Sequence, residues 1–355
     1  VPIISVTDTG NARIAFMPKT SPLTFDNPVY RAYLADPFCF YFGGTYYCVG
    51  TGKDEADACP ITGNVVPMIT STDLHHWKWH DRVLIPPPEE KSGPFWAPEM
   101  ASDGKRFYLY YSPGGTKKGF HLRVGVADDP LGPYQDTGKP LTDLEKTPFA
   151  IDAHAFQDDD GQWYMYYATD FLDVDEKTFR GTALVVDRMT SMTSLEGNPR
   201  PVMRAHHAWQ LFQKDRDMYG KVADWYTLEG PTVLKRKGKY YLFYSGGCFQ
   251  NDTYGVDYLI ADHPLGPWHE PAPADLHTRG PQVIRTIPGK IVGPGHNSIV
   301  TAEDGHDYIV YHAWNLVMED RELWIDPILW TPEGPIVERY AEFIRQKNEE
   351  ARGHR

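Results

Sequence analysis

One pattern recurs five times along the chain and narrows what it can fold into. A Gly-bearing turn leads into paired aromatics and an alternating apolar run: "GGTYYCVG", "DGKRFYLYYS", "DGQWYMYYA", "KGKYYLFYS" and "DGHDYIVYH". The first position of each pair is Tyr46, Phe107, Trp163, Tyr240 and Asp307, at intervals of 61, 56, 77 and 67 residues. Alternation of this kind is the mark of a strand with one buried face, and self-similarity at such spacing is the mark of a repeat architecture. A second element follows each copy. "VGVADDPLGPYQ" and "YLIADHPLGPWHE" follow the second and fourth, "MITSTDLHHWKWHD" the first, "ALVVDRMTSM" the third and "LWIDPILWTPEGPIV" the fifth. Each unit therefore predicts four antiparallel strands. Five such units predict an all-β fold, a five-bladed β-propeller with four-stranded blades around a central axial site. The units are longer than common propeller repeats, and the surplus falls between strands, where binding loops are carried.

The organisation outside the repeat is sparse. Residues 1–338 are expected to form a single propeller domain, with 1–30 packed along its outside. Residues 339–355 are expected to form a short docked helix or tail, because Val337, Tyr340, Phe343 and Ile344 fall at helical spacing before the sequence turns to charge. The stretch Asp170–Trp225 predicts a short helix or a loop over one face. Composition agrees with strands and turns: aromatics make up 14% of the chain, and it holds 31 Gly and 30 Pro.

Charge and cysteines exclude several partners. A formal net charge of −13 argues against nucleic acid, whose phosphates need a basic face. It suits a neutral substrate or a cation. No apolar run reaches the roughly 18 residues of a membrane span, so no membrane partner is expected. The four cysteines, at 39, 48, 59 and 248, form neither a CxxC pair nor a disulfide scaffold, and Cys39 and Cys48 read as free core thiols. The opening "VPIISVTDTG" lacks the basic and apolar regions of a signal peptide. A cytoplasmic location is expected, or a secreted one with the signal removed. Oligomeric state is left open.

Counting back eleven residues from each anchor reaches Glu229 from Tyr240, Asp152 from Trp163, His296 from Asp307 and Trp96 from Phe107. From Tyr46 an acid stands ten back, at Asp36. First strands of propeller blades lie next to the axis, so these positions predict a ring of Asp36, Trp96, Asp152, Glu229 and His296. Each member alone has an ordinary explanation: "ADP" and "EGP" are turn motifs, a Trp is usually core, and a His in "GPGHNS" usually bonds a turn. Five at matching register are harder to explain as structure, because carboxylates crowded into a low-dielectric channel repel one another. The chemistry they suit is glycoside hydrolysis with inversion. One carboxylic acid protonates the leaving oxygen, and an opposed carboxylate activates water. A third carboxylate raises the acid's pKa by repulsion, and an indole such as Trp96 suits the apolar face of a sugar.

The motifs "LADPFCFYFGGTYY", "FWAPEM", "AIDAHAFQDDDGQWYMYY", "TLEGPTVLKRKGKYYLFYS" and "GPGHNSIV" together resemble glycoside hydrolase family 43, over roughly residues 33–338. The resemblance implies a five-bladed propeller that inverts configuration and acts on arabinose- and xylose-containing glycans. It implies Asp36 as general base, Glu229 as general acid and Asp152 as the residue that tunes and orients the acid. Where the family more often has Pro, this chain has Ala153. Arg321 matches an arginine that reaches the bound sugar, although it also reads as a surface ion-pair partner. His296 matches a histidine that contacts a central calcium in some members, so Ca²⁺ is expected near His296, with no organic cofactor.

The expected function is an exo-acting pentosidase that releases α-L-arabinofuranosyl or β-D-xylosyl residues from hemicellulose oligosaccharides. The alternatives are an endo-acting arabinanase, a non-catalytic carbohydrate-binding propeller and a protein-interaction propeller. His154 reads as a backbone partner, Trp225 and Tyr226 as possible pocket walls, and Trp77 as outer packing. Nothing in the spacing of His206 and His207 points to a metal site.

Overall fold

A computed structural model describes residues 21–53, 66–80, 83–90, 94–114, 119–271 and 280–353. Aromatic and β-branched runs between turn residues give strands, and the strands form four sheets. The first sheet has the order β1 (Ala35–Phe42), β2 (Thr45–Thr51), β3 (Met68–Ser71) and β4 (Lys78–His80). The second comprises β5 (Leu84–Ile85), β6 (Phe95–Ser102), β7 (Phe107–Pro113), β8 (Arg123–Ala127) and β9 (Tyr134–Asp136), in the order β5-β9-β8-β7-β6.

The third sheet begins with β10 (Ala150–Gln157), β11 (Trp163–Phe171) and β12 (Gly181–Ser191). It continues with β13 (Ser194–Leu195), β14 (Arg200–Met203), β15 (Leu211–Met218) and β16 (Lys221–Arg236). It ends with β17 (Lys239–Gly246), β18 (Gly255–Ala261) and β19 (Ile284–Arg285). The fourth sheet is β20 (Val292–Thr301), β21 (Asp307–Trp314), β22 (Arg321–Thr331) and β23 (Gly334–Val337), in that order.

The fold is all-β, as the repeat predicts, with one α-helix among the described residues. The third and fourth repeat units do not form separate sheets. A short parallel pairing of Gly181 with Tyr226 and Thr182 with Thr227 fuses them into ten strands. The stretch 170–225 is mostly strand, with one short 3₁₀ turn at Ala208–Gln210, rather than the helix or loop expected.

The five strands that open the repeat units are β1, β6, β10, β16 and β20. They pack in a closed cycle: β1 touches β6 and β20, β6 touches β10, β10 touches β16, and β16 touches β20. Each carries a one-residue bulge against its hairpin partner, with the register slipping after Ala35, Trp96, Ile151, Glu229 and Gly295, and β20 slips once more after Val292. The next residue is left-handed in every case, with φ of 51° at Asp36, 41° at Ala97, 62° at Asp152, 57° at Gly230 and 47° at His296. Bulges of this kind re-aim side chains and sit beside functional sites.

The equivalent positions therefore differ from the predicted ring at two of five places: Ala97 and Gly230 stand where Trp96 and Glu229 were expected. Turn length is the cause. Trp163 and Asp307 pair with residues six back, Gln157 and Thr301. Tyr46, Phe107 and Tyr240 pair with residues five back, Tyr41, Ser102 and Lys235. A uniform count of eleven oversteps the shorter turns by one.

The left-handed residues also link neighbouring units. Ala97 N–H donates to Thr51 Oγ1 at 2.8 Å, Asp152 N–H to Ser112 Oγ at 3.3 Å, and His296 N–H to Ser245 Oγ at 2.7 Å. Asp36 N–H donates to His312 Nδ1 at 3.0 Å. Each acceptor lies five residues after the anchor of the neighbouring unit: Tyr46, Phe107, Tyr240 and Asp307. In the third unit that position is Ala168, which has no acceptor. Gly230 N–H instead donates to Asp152 Oδ2 at 3.0 Å.

The ends of the chain close onto the last sheet. Val29 N–H donates to Leu323 O and Leu34 N–H to Arg321 O, so the segment before β1 runs along β22. Helix α1 (Glu338–Gly353) follows β23, and Tyr340, Phe343 and Ile344 pack with Val337 on the apolar cluster of the fourth sheet. Cys39, Cys48 and Cys248 are buried free thiols, and Trp77 sits at the margin of an outer cluster. Cys59 and residues 1–20 lie outside the described residues. Among the described residues no helix is long and apolar enough to cross a membrane.

Ser245 is fully buried, and its Oγ accepts His296 N–H. Ser245→Ala strands that amide, and a buried unsatisfied donor costs about 1–3 kcal/mol. Urea unfolding is expected to show a loss of that size. A change within error would mean that these amide bonds do not hold the units together.

Candidate active site

The bulges bring Asp36, Asp152, Glu229 and His296 into one buried cluster, together with Arg321 from the start of β22. Asp36 is the most heavily bonded. Thr51 Oγ1 donates to its Oδ2 at 2.5 Å, and Arg321 Nη1 donates to its Oδ1 at 3.2 Å. His296 Nδ1 and His312 Nδ1 lie 3.4 and 3.3 Å from the same Oδ1. Burial would raise the Asp36 pKa, but His296, Arg321 and His312 outweigh it and hold the carboxyl well below its usual range. Of these three, Arg321 carries the permanent charge. Burial pushes His296 down and His312 down to about 4, so His312 is a neutral imidazole at pH 7. His312 Nδ1 accepts the Asp36 amide, which places the His312 proton on Nε2.

Arg321 is not a surface ion-pair partner, the alternative that the sequence left open. Its side chain is buried and caged by aromatic rings, with its guanidinium 4.9 Å from the Phe249 centroid, 5.4 Å from Tyr33 and 5.8 Å from Trp314. Nε and Nη2 both donate to Tyr33 Oη, at 3.1 and 2.6 Å. A guanidinium held this way is a fixed positive charge against Asp36.

Glu229 and Asp152 go the other way. Burial pushes Glu229 up to about 7; the Asp36 charge adds to this, while a hydrogen bond from Tyr254 Oη at 2.6 Å opposes it. Burial, and then the charge of Glu229, raise Asp152 well above the carboxylate range, against the Gly230 N–H bond. Two buried carboxyls that repel each other titrate as a pair, and this pair retains a proton near neutral pH. One cluster thus holds an ionised carboxylate at Asp36 and a protonated carboxyl pair at Asp152 and Glu229.

Trp96 lies one residue before the left-handed Ala97. It is 36% exposed and stacks on Phe120 with centroids 3.7 Å apart, so one indole face is supported. His154 bonds the backbone, as expected: its Nε2 accepts Val233 N–H at 3.0 Å, and its Nδ1 donates to buried Glu99 Oε2 at 2.7 Å. Ala153 is fully buried inside β10, and the residue before it keeps the left-handed turn without the family's Pro. Trp225 is buried under Arg216, and Tyr226 stacks on Phe179.

Around His296 the described side chains offer its own imidazole, that of His312 and the Asp36 carboxylate already matched by a guanidinium. Calcium takes six to eight oxygens, so an ion held near His296 would draw most of its shell from water, and no step below depends on a metal.

Sequence reasoning missed Thr51, Tyr254, His312 and Tyr33. Thr51 and His312 were within reach, because they stand at the same offset after an anchor as Ser112 and Ser245. Tyr254 and Tyr33 lie in connecting segments with no repeated register.

Comparison with known proteins agrees with this geometry. The sequence profile of Glycosyl hydrolases family 43 matches residues 25–336. A β-D-galactofuranosidase from Aspergillus niger is 30% identical over 82% of this chain and 77% of its own length. An extracellular exo-α-(1→5)-L-arabinofuranosidase from Streptomyces chartreusis is 26% identical over 82% of this chain and 83% of its own. The crystal structure of a thermostable family-43 glycoside hydrolase superposes with a TM-score of 0.71 at 26% identity, covering 89% of this chain and 96% of that one. The chain belongs to glycosyl hydrolase family 43 and is a glycoside hydrolase.

Proposed function

We propose that this enzyme is an inverting, exo-acting pentosidase that removes α-L-arabinofuranosyl or β-D-xylosyl ends from arabinose- or xylose-containing oligosaccharides. The observation that carries the proposal is the opposite protonation of Asp36 and the Asp152–Glu229 pair within one buried cluster. Inversion needs a base that is ionised and an acid that is protonated at the same pH. The closed cycle of five bulged strands is read as a five-bladed propeller, with this cluster at its axis.

In this mechanism Asp36 takes a proton from the attacking water, and Arg321 and Thr51 hold its oxygens in place. Glu229 gives its proton to the leaving oxygen as the glycosidic bond breaks. Asp152 forms with Glu229 a buried carboxyl pair that retains a proton, and its bond to Gly230 N–H fixes it beside the acid. Trp96 supports the sugar face. Three of the five guanidinium N–H groups of Arg321 are engaged in the bonds above, which leaves donors for a sugar hydroxyl.

Exo action is supported by the long sequence between the third and fourth units and by the name of the Streptomyces relative. That relative is also named extracellular, which favours secretion over the cytoplasm. The Aspergillus relative acts on a furanoside, so arabinofuranosides come before xylosides in a chromogenic screen. On linear arabinan, release of monomer alone is expected; mixed oligomers would select the endo alternative.

Asp36→Asn and Glu229→Gln are each expected to lower kcat by about 100- to 10,000-fold, with oligosaccharide binding retained in calorimetry. Near-wild-type turnover in either variant would remove the assignment and favour a binding module.

The rate should depend on pH as a bell. The high-pH limb falls through about 7, where Glu229 loses its proton, and the low-pH limb lies below the ordinary carboxylate range, where Asp36 gains one. A profile flat from mildly acid to mildly alkaline pH would contradict the paired roles.

Stability gives an independent check. A carboxyl whose folded pKa is raised costs stability as pH climbs above its unfolded value, and the cost is complete above its folded one. Glu229→Gln should therefore stabilise the fold at pH 8 by on the order of 2 kcal/mol, with the gain shrinking towards pH 4. Equal melting shifts at both pH values would show that Glu229 is not buried as an acid.

A further inference from the structure

His206 and His207 stand side by side on the segment between β14 and β15, and Glu270 follows β18 in the same sheet. The fold brings them together. His207 Nε2 is 2.8 Å from Glu270 Oε1, and His206 Nε2 is 3.3 Å from Glu270 Oε2. One ligand atom from each residue lies within 4.8 Å of the other two. The edge of a tetrahedral zinc site with imidazole and carboxylate ligands is about 3.3 Å, so little movement is needed to close these atoms on an ion.

The supports of the three residues are already in place. Gln210 is fully buried, and its Oε1 accepts both His206 N–H at 2.8 Å and His207 N–H at 2.9 Å. His206 Nδ1 donates to Arg204 O at 2.9 Å. That bond fixes the tautomer with the Nε2 lone pair facing Glu270, the usual arrangement behind a metal-bound imidazole. Glu270 directly follows His269, whose N–H and C=O both bond Ile260. The His206 side chain is 32% exposed, which gives an ion a way in and room for a water ligand.

We propose that His206, His207 and Glu270 bind one divalent first-row transition ion, Zn²⁺ in preference to Ca²⁺ or Mg²⁺. Two imidazoles and one carboxylate favour such an ion over the hard, oxygen-seeking ones. Binding displaces the proton that bridges His207 Nε2 and Glu270 Oε1 to Nδ1 or to solvent. The ion serves as a staple: it ties the segment leading into β15 to the end of β18. β15 pairs with β16, the strand that carries Glu229.

The spacing of the two histidines gave no sign of this site, because the third ligand lies 63 residues beyond His207.

The test is metal binding by the untagged wild-type chain, stripped with a chelator and then titrated with Zn²⁺ and Co²⁺. One saturable ion per chain is expected, with visible d–d absorption for Co²⁺. Tm should rise by about 3 °C at a hundredfold excess over Kd, and Ca²⁺ or Mg²⁺ should have no such effect. Glu270→Gln and His206→Ala should abolish both signals, and Gln210→Ala should weaken binding about 10- to 100-fold. Absence of saturable binding in the wild type, or an unchanged stoichiometry in Glu270→Gln and His206→Ala, would overturn the proposal. Both variants should keep the metal-free melting temperature of the wild type; if they are unfolded, the wild-type titration and Gln210→Ala decide.

Discussion

The architecture rests on one backbone feature used five times. Each opening strand admits one extra residue, turns it left-handed and hands its N–H to the neighbouring unit. Four of the five residues in this conformation, Asp36, Ala97, Asp152 and His296, are not glycine. A non-glycine residue there costs of order 1–3 kcal/mol, and such a conformation persists only where its surroundings over-determine it. The surroundings are the hydrogen bonds from neighbouring units, and an amide buried at the centre of the molecule cannot turn to water instead. The same bulges that link the units also aim Asp36, Asp152 and His296 into the cluster, so the closure of the fold and the assembly of the site are one event.

That coupling explains how one cluster sustains opposite protonation states. Asp36 sits where Arg321, Thr51 and two histidines converge, and Arg321 is kept rigid by the rings of Tyr33, Phe249 and Trp314. Asp152 and Glu229 receive one neutral hydrogen bond each and face each other's charge. A carboxylate beside a fixed cation ionises, and a carboxyl among other acids does not. Neither environment depends on a flexible surface side chain, and a preorganised field of this kind needs no rearrangement as charge develops.

Much of this was legible in the sequence, and the limits have physical causes. The alternation after each turn revealed five hairpins because half-buried strands repeat with period two. The acids stood out because charged residues at repeated core positions need a reason. Glu229 and Trp96 were displaced by one because a hairpin turn can gain a residue without disturbing the strands it joins. Thr51 and Ser245 went unnoticed although their register was as regular as that of the acids. Hydroxyls are common in strands and carry no signature until their partners are known. The fusion of two units through Gly181 and Tyr226 had no local signal at all. A Cβ on Gly181 would lie 1.8 Å from Tyr226 O, but a lone glycine marks close approach without saying what approaches.

The one place where the repeat is incomplete is also the most informative. Where the third unit should offer a hydroxyl it has Ala168, and Asp152 reaches across to accept the Gly230 amide in its stead. This gives Asp152 two tasks that cannot be separated. By accepting the amide it secures the bulge next to Glu229, and by standing there it forms with Glu229 the buried carboxyl pair. A neutral acceptor at residue 168 would serve the backbone equally well and would leave Asp152 without the bond that holds it beside Glu229. The missing hydroxyl is therefore part of how the pair is assembled: the backbone bond holds the Asp152 carboxyl next to Glu229, where burial and mutual repulsion keep a proton on the two.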